Sequence, residues 1–198
     1  KAETPLYNRR QRRLHKLWTV QLQQGKDGFL KPTAADFKPE SERRVDSYGL
    51  YSNQKHIESS LRRHARDHGL CSQMLGFDKG TGPCFQFQLK RCDGACAGQE
   101  SASEHNARLL SVLDSDRIAA WPFTGPLALG ETNIRPWEGQ PSNQYHIVDH
   151  WSYLGSVESL DASQSLLQSE GARFFDRDAY RLLISAMSKG RVEIYDAT

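Results

Sequence analysis

The chain has 198 residues, 37% hydrophobic and 25% charged, long enough for one domain or two small ones, a little polar for one compact globule but not disordered. No apolar run approaches the ~20 residues of a membrane span, and Lys1-Ala2-Glu3-Thr4 opens the chain with no apolar stretch behind it, so neither a membrane protein nor a signal peptide is expected. The net charge of +2 hides an asymmetry, with 15 Lys+Arg against 8 Asp+Glu in residues 1–68 and 11 against 16 in residues 69–198. A basic front of this kind suits a polyanion such as nucleic acid, although a plain solvated surface has the same composition. The first residue is not Met, so the natural N-terminus is expected upstream.

Taken in order, Lys1–Asn8 reads as the end of a helix running into extended chain, because Pro5 stops a helix and biases Thr4 away from helical geometry. Arg9-Arg10-Gln11-Arg12-Arg13 then places four arginines in five positions. Leu14 to Leu22 reads as a strand, Gln23 to Arg44 as a loop with a short strand around Phe29 and Leu30, and Ser47 to Tyr51 as a strand. Ser52 or Asn53 can cap a helix with Ile57, Leu61 and Ala65 at four-residue spacing, ended by Gly69. Glycines make residues 71–98 loop-rich, with one helix expected from Phe85 to Arg91. Ser101 with Glu104 has capping-box spacing ahead of Leu109, Leu110 and Leu113. Residues 119–129 read as a hairpin turning at Thr124-Gly125-Pro126, and Asn133 to Ser142 as a loop. Strands follow at Tyr145–Val148 and Trp151–Leu154, then a helix from Asp161 to Gln168. A helix capped by Asp176 carries Tyr180, Leu183, Ile184 and Met187, and a last strand spans Val192–Tyr195.

The expected fold class is α+β: a short basic N-terminal tail, a loop-rich four-cysteine segment and a small C-terminal α+β module. The expected divisions fall at 1–14, 15–68, 69–116 and 117–198.

All four cysteines lie between Cys71 and Cys96, spaced x12, x7 and x3. Without a secretory signal, clustered thiols favour a cytoplasmic metal site over disulfides. Four thiolates can hold an iron–sulfur cluster or a zinc ion. Zinc ribbons usually bring two tight pairs, and only Cys92 and Cys96 form one here. Four reduced, buried thiols are the bland alternative. Lys90 and Arg91 would offset the charge of a thiolate centre and could also face DNA.

The run Cys84-Phe85-Gln86-Phe87-Gln88-Leu89-Lys90-Arg91-Cys92-Asp93-Gly94-Ala95-Cys96-Ala97-Gly98 resembles the cysteine signature that follows the nuclease domain in the UvrC family of GIY-YIG endonucleases. Pro5-Leu6-Tyr7-Asn8 resembles the exit from that nuclease domain, and Gly49-Leu50-Tyr51 the strand before the family's helix. The likeness is greatest to the short Cho branch, continuing through Trp121-Pro122, Gln144-Tyr145-His146-Ile147, Leu154-Gly155 and Asp176 to Tyr180. GIY-YIG modules fused behind a DnaQ-like exonuclease are a similar parent. The resemblance implies a four-iron four-sulfur cluster held by Cys71, Cys84, Cys92 and Cys96, with zinc as the alternative filling. It matches Asn8 to the Asn at the edge of the nuclease site. It places the family's catalytic Tyr and Arg, and the Glu that holds a divalent metal, before residue 1; Glu3 falls after that Glu. It implies the non-catalytic part of a nucleotide excision repair endonuclease, with damaged double-stranded DNA and a UvrB–DNA complex as partners.

Arg9, Arg10, Arg12 and Arg13 are candidate phosphate contacts, as are Lys90 and Arg91. Arg62, Arg63 and Arg66 fit an exposed helix face equally well. His64 and His68 lie four apart, but no carboxylate completes a metal motif. His146 and His150 read as surface or hydrogen-bonded histidines, and Trp121, Trp151 and Tyr153 as core aromatics more than base-stacking platforms. Two other classes remain open: a stand-alone DNA-binding or redox-sensing module, and a zinc-stabilised interaction domain.

Overall fold

The computed structural model describes residues 16–38, 46–131, 144–168, 175–190 and 192–197. Asn8, the Arg9–Arg13 run and the 133–142 loop lie outside the described residues. The fold is α+β, and the chain divides at Ile118 into two compact units.

The first unit opens with β1 (Trp18–Gln24), β2 (Leu30–Asp36) and β3 (Tyr48–Tyr51), an antiparallel sheet in the order β2-β1-β3. Helix α1 (Gln54–Asp67) follows, capped by Asn53, whose side chain accepts the His56 N–H at 3.0 Å. Its Ile57, Leu61 and Ala65 form the buried stripe that the four-residue spacing predicts. Gly69, at φ 64, ends it: the Leu70 N–H reaches back to the Ala65 carbonyl at 3.0 Å, which closes the helix with a left-handed residue. A one-turn helix α2 (Phe85–Gln88) and a 3-10 turn at Ala95–Ala97 lie within the cysteine segment. Helix α3 (Ala102–Asp114) starts with the full Ser101/Glu104 capping box. Val20, Tyr48, Leu70, Leu75, Leu109 and Leu113 join the α1 stripe in one core, each large side chain contributing ~2 kcal/mol by leaving water.

In this unit two of the expected elements change. Strand β2 runs through residues read as loop. Pro32 does not break it, because β2 is the edge of its sheet, where a missing N–H is tolerated. The helix expected to Arg91 stops at Gln88, because Lys90 turns to a positive φ of 55.

The second unit is a four-stranded antiparallel sheet in the order β6-β5-β4-β7, from β4 (Leu127–Glu131), β5 (Tyr145–Asp149), β6 (Ser152–Val157) and β7 (Val192–Asp196). A 3-10 turn at Leu160–Ala162 leads into α4 (Ser163–Leu167), and α5 (Arg177–Ser188) is capped by Asp176, which accepts the Asp178 and Ala179 N–H groups. Ile147, Ala128 and Ala197 centre a core that Leu166, Leu167, Tyr145 and Tyr195 cover.

The hairpin expected across 119–129 does not form. Strand β4 has β5 on one side and β7 on the other, so no edge is left for residues 119–123. Side chains satisfy that backbone instead: the Ala119 N–H donates to the Tyr180 hydroxyl at 2.9 Å, and its carbonyl accepts from the Trp151 indole at 3.0 Å. Trp151 is buried, as expected of a core aromatic, whereas Tyr153 is 46% exposed and points away from the core. No helix among the described residues is long and apolar enough to cross a membrane.

Candidate metal centre

Three loops bring the cysteines together. Cys71 directly follows the α1 terminus, Cys84 precedes α2, and Cys92 and Cys96 flank the tight turn into the 3-10 helix. The four Sγ atoms all lie within 4.8 Å of one another, with Cys71 to Cys84 and Cys84 to Cys92 both at 3.9 Å. All four are free thiols, three of them buried. Phe29, Met74 and Phe87 pack around the sulfurs and close them off with apolar surface.

The backbone is turned toward the sulfurs. The Cys84 N–H points at the Cys96 Sγ at 3.3 Å, and the Gly94 N–H at the Cys92 Sγ at 3.4 Å. Gly94 has φ 86, and a Cβ there would meet the Phe87 ring at 2.7 Å, so glycine is required for both conformation and room.

Burial pushes the Cys92 thiol well above its ordinary range and the Cys96 thiol up to about 11, and the neighbouring thiols add to both effects. At Cys71 burial works the same way, but N–H donors from Met74, Gln73 and Cys96 and the Cys96 thiol outweigh it and lower the pKa. One thiolate is therefore supported by its neighbours, while a set of four demands a cation to balance it. The donor set fits a structural metal: four converging sulfurs, apolar walls and N–H groups aimed at sulfur.

Helix α3 carries two side chains that organise the centre, neither of them singled out in the sequence. His105 is fully buried, and its Nε2 accepts the Cys71 N–H at 3.2 Å. That bond assigns the ring proton to Nδ1. Burial holds its pKa below the usual imidazole range, against an opposing pull from Glu100. Its spacing of four from Leu109 and eight from Leu113 is the signal that places it on the buried stripe.

Arg108 is the second. It takes both Glu100 oxygens at 2.8 and 2.9 Å, pairs with Asp93 at 2.6 Å, and donates to the carbonyls of His68 and Gly69 at 2.9 and 3.2 Å. One guanidinium thus fastens the segment before Cys71 to the loops around Cys92 and Cys96.

Lys90 and Arg91 are exposed beside the centre, and Lys90 helps to line an open groove of about 720 Å³ together with Phe87, Cys92 and Gln99. Arg62 pairs with Glu58 at 2.9 Å and lies over the Phe77 ring, while Arg63 and Arg66 are exposed on α1. His64 and His68 stack at 6.2 Å and Asp116 lies 3.5 Å from the His64 Nε2, but among the described residues no three ligand atoms converge there. His146 contacts the Tyr153 hydroxyl and His150 pairs with Asp149, as hydrogen-bonded histidines do.

Residues 18–115 match the profile of the UvrC/Cho excinuclease middle domain, and residues 126–198 that of the excinuclease Cho C-terminal domain. The chain belongs to the UvrC/Cho family. It is 35% identical to excinuclease cho of Salmonella typhi, over 99% of this chain and 64% of that protein. It is 34% identical to excinuclease cho of Escherichia coli strain K12, over 98% of this chain and 62% of that protein. The chain therefore spans somewhat less than two thirds of the length of these relatives. No solved structure matches it. The metal-centre residues, from Cys71 to Cys96 together with His105 and Arg108, all fall within the middle-domain match.

Proposed function

We propose that this chain is the non-catalytic, metal-bearing and DNA-contacting part of a nucleotide excision repair endonuclease that incises damaged DNA. The convergence of four cysteine sulfurs within 4.8 Å, inside the region matched to the UvrC/Cho middle domain, carries this reading. The nuclease chemistry belongs to a GIY-YIG domain with its own divalent metal, which Asn8 would border. Arg9, Arg10, Arg12, Arg13, Lys90 and Arg91 contact phosphates, giving affinity that is independent of sequence and weakened by salt. A UvrB–DNA complex is the proposed protein partner, and the cytoplasm the proposed compartment.

The centre holds a four-iron four-sulfur cluster through Cys71, Cys84, Cys92 and Cys96. When bound, such a cluster supplies a rigid cross-link between the three loops and a local charge. The spacing supports this filling, since only Cys92 and Cys96 form a tight pair where a zinc ribbon would bring two. A single zinc ion is the second reading. The observation that favours it is the 3.9 Å sulfur spacing, close to the ~3.8 Å edge of a tetrahedron with metal–sulfur bonds of ~2.3 Å.

Anaerobic purification followed by metal and sulfide analysis separates the two. The expected product is brown, with iron and acid-labile sulfide in equal amounts. A colourless protein with stoichiometric zinc would establish the second reading. A folded protein with neither would remove the metal centre and the family-based function together.

A further inference from the structure

Between the two central ligands the chain makes one exposed turn. Cys84 and Cys92 fix its ends at the metal centre, and inside it the Arg91 N–H bonds the Gln86 carbonyl at 2.8 Å and the Lys90 N–H the Phe87 carbonyl at 2.9 Å. Its two phenylalanines behave differently. Phe87 packs inward against the cysteines and Gly94. Phe85 stands 65% exposed, and Leu89, four residues on and therefore on the same side of the turn, is 44% exposed. The next two residues, Lys90 and Arg91, are exposed and carry no ion pair among the described residues.

We infer that this turn reads distortion in DNA: the Phe85 ring, supported by Leu89, stacks on a base that has left the helical stack, while Lys90 and Arg91 hold the flanking phosphates. The inference rests on the reading that the chain contacts DNA, and it deepens that reading by naming the DNA feature recognised. Two apolar side chains followed directly by two unpaired cations match the succession of base face and phosphate along a strand. They offer far too little apolar area for a stable protein interface, which buries ~1,200–2,000 Å². Wedges of Phe or Leu beside basic residues are the usual means of occupying an unstacked step. Anchoring at both ends keeps the ring in place before binding, so little ordering entropy opposes the contact.

The test compares the full 198-residue chain, carrying its metal, on an intact duplex and on a duplex with a bulged 2-aminopurine. Wild type is expected to bind the bulged duplex more tightly and to change the 2-aminopurine fluorescence. Phe85→Ala is expected to weaken bulge binding by about tenfold or more, the loss of one base–aromatic stack, while intact-duplex affinity stays within about twofold. Phe85→Trp should retain the preference. Lys90→Ala with Arg91→Ala should weaken both duplexes. Metal content and melting temperature check that each variant is folded.

Wild-type bulge preference that survives Phe85→Ala, or an equal loss on both duplexes, overturns the inference. Equal wild-type affinity for both duplexes with unchanged fluorescence also overturns it and leaves DNA contact standing. Binding to neither duplex removes the DNA reading itself.

Discussion

Arg108 shows how much one side chain can organise. Its five donors face two carboxylates and two carbonyls that belong to three separate stretches of chain. Glu100 is nearly buried, so removing its partner strands a carboxylate away from water. Arg108→Ala is therefore expected to cost about 2–3 kcal/mol, discounted for the part of the network open to solvent. Arg108→Lys should recover little, because an ammonium cannot take both oxygens of Glu100 and both carbonyls at once. Urea titration of the metal-loaded protein measures both. Gly94 makes a complementary case. Gly94→Ala forces a side chain into left-handed backbone, at ~1–2 kcal/mol, and against the Phe87 ring as well. The expected result is a lower urea midpoint and reduced metal retention in dialysis; unchanged retention would show that the turn can relax.

At the level of elements, α3 combines a local start signal with a nonlocal purpose. The Ser101 hydroxyl accepts the Glu104 N–H at 3.2 Å, while Glu104 accepts the Ser101 N–H at 2.9 Å. Ser101→Ala should cost ~1 kcal/mol, the usual value of such a cap. The bonds from Ser101 hold the Glu104 carboxyl below its ordinary 4.5. Its contribution is therefore complete above that value and disappears as pH falls through the lowered folded-state pKa. The stability gap between wild type and Ser101→Ala should accordingly narrow in strongly acidic buffer, as followed by circular dichroism.

Local rules of this kind made Asn53, Ser101 and Asp176 legible as helix starts, and the stripe Ile57, Leu61, Ala65 legible as core. Convergence of the four cysteines was legible as well, since few other arrangements use thiols at that density. What escaped depended on partners distant in sequence. Strand β2 is defined by pairing Leu30–Asp36 with β1, whatever Pro32 suggests. Residues 119–123 were excluded from the sheet by β7, some seventy positions later. His105 and Arg108 sit on an ordinary helix face, and only the folded loops beside them show what they hold.

For the molecule as a whole, the ligands are confined to one unit. Every cysteine falls before Ile118, whereas the second unit has its own sheet and core. Removing the metal with a chelator under reducing conditions should therefore collapse amide protection in α1, α3 and the loops from Cys71 to Gly98. Protection in β4, β5 and β7 should persist. Hydrogen exchange read by mass spectrometry resolves the two regions, and uniform loss across both would contradict this division. The same reasoning predicts that Cys92→Ala is insoluble or unfolds its own unit, because ligand binding supplies folding free energy there.

Strand β4 obtains its second neighbour only from residues 192–196. During synthesis, then, a strand whose Leu127, Ala128 and Leu129 are all apolar waits with bare amides on one flank until the ribosome has released Asp196. A message broken before that codon yields a product with a permanent sticky rim, which would self-associate or be degraded. Quality control of the polypeptide is in this sense set by the ladder of hydrogen bonds between β4 and β7.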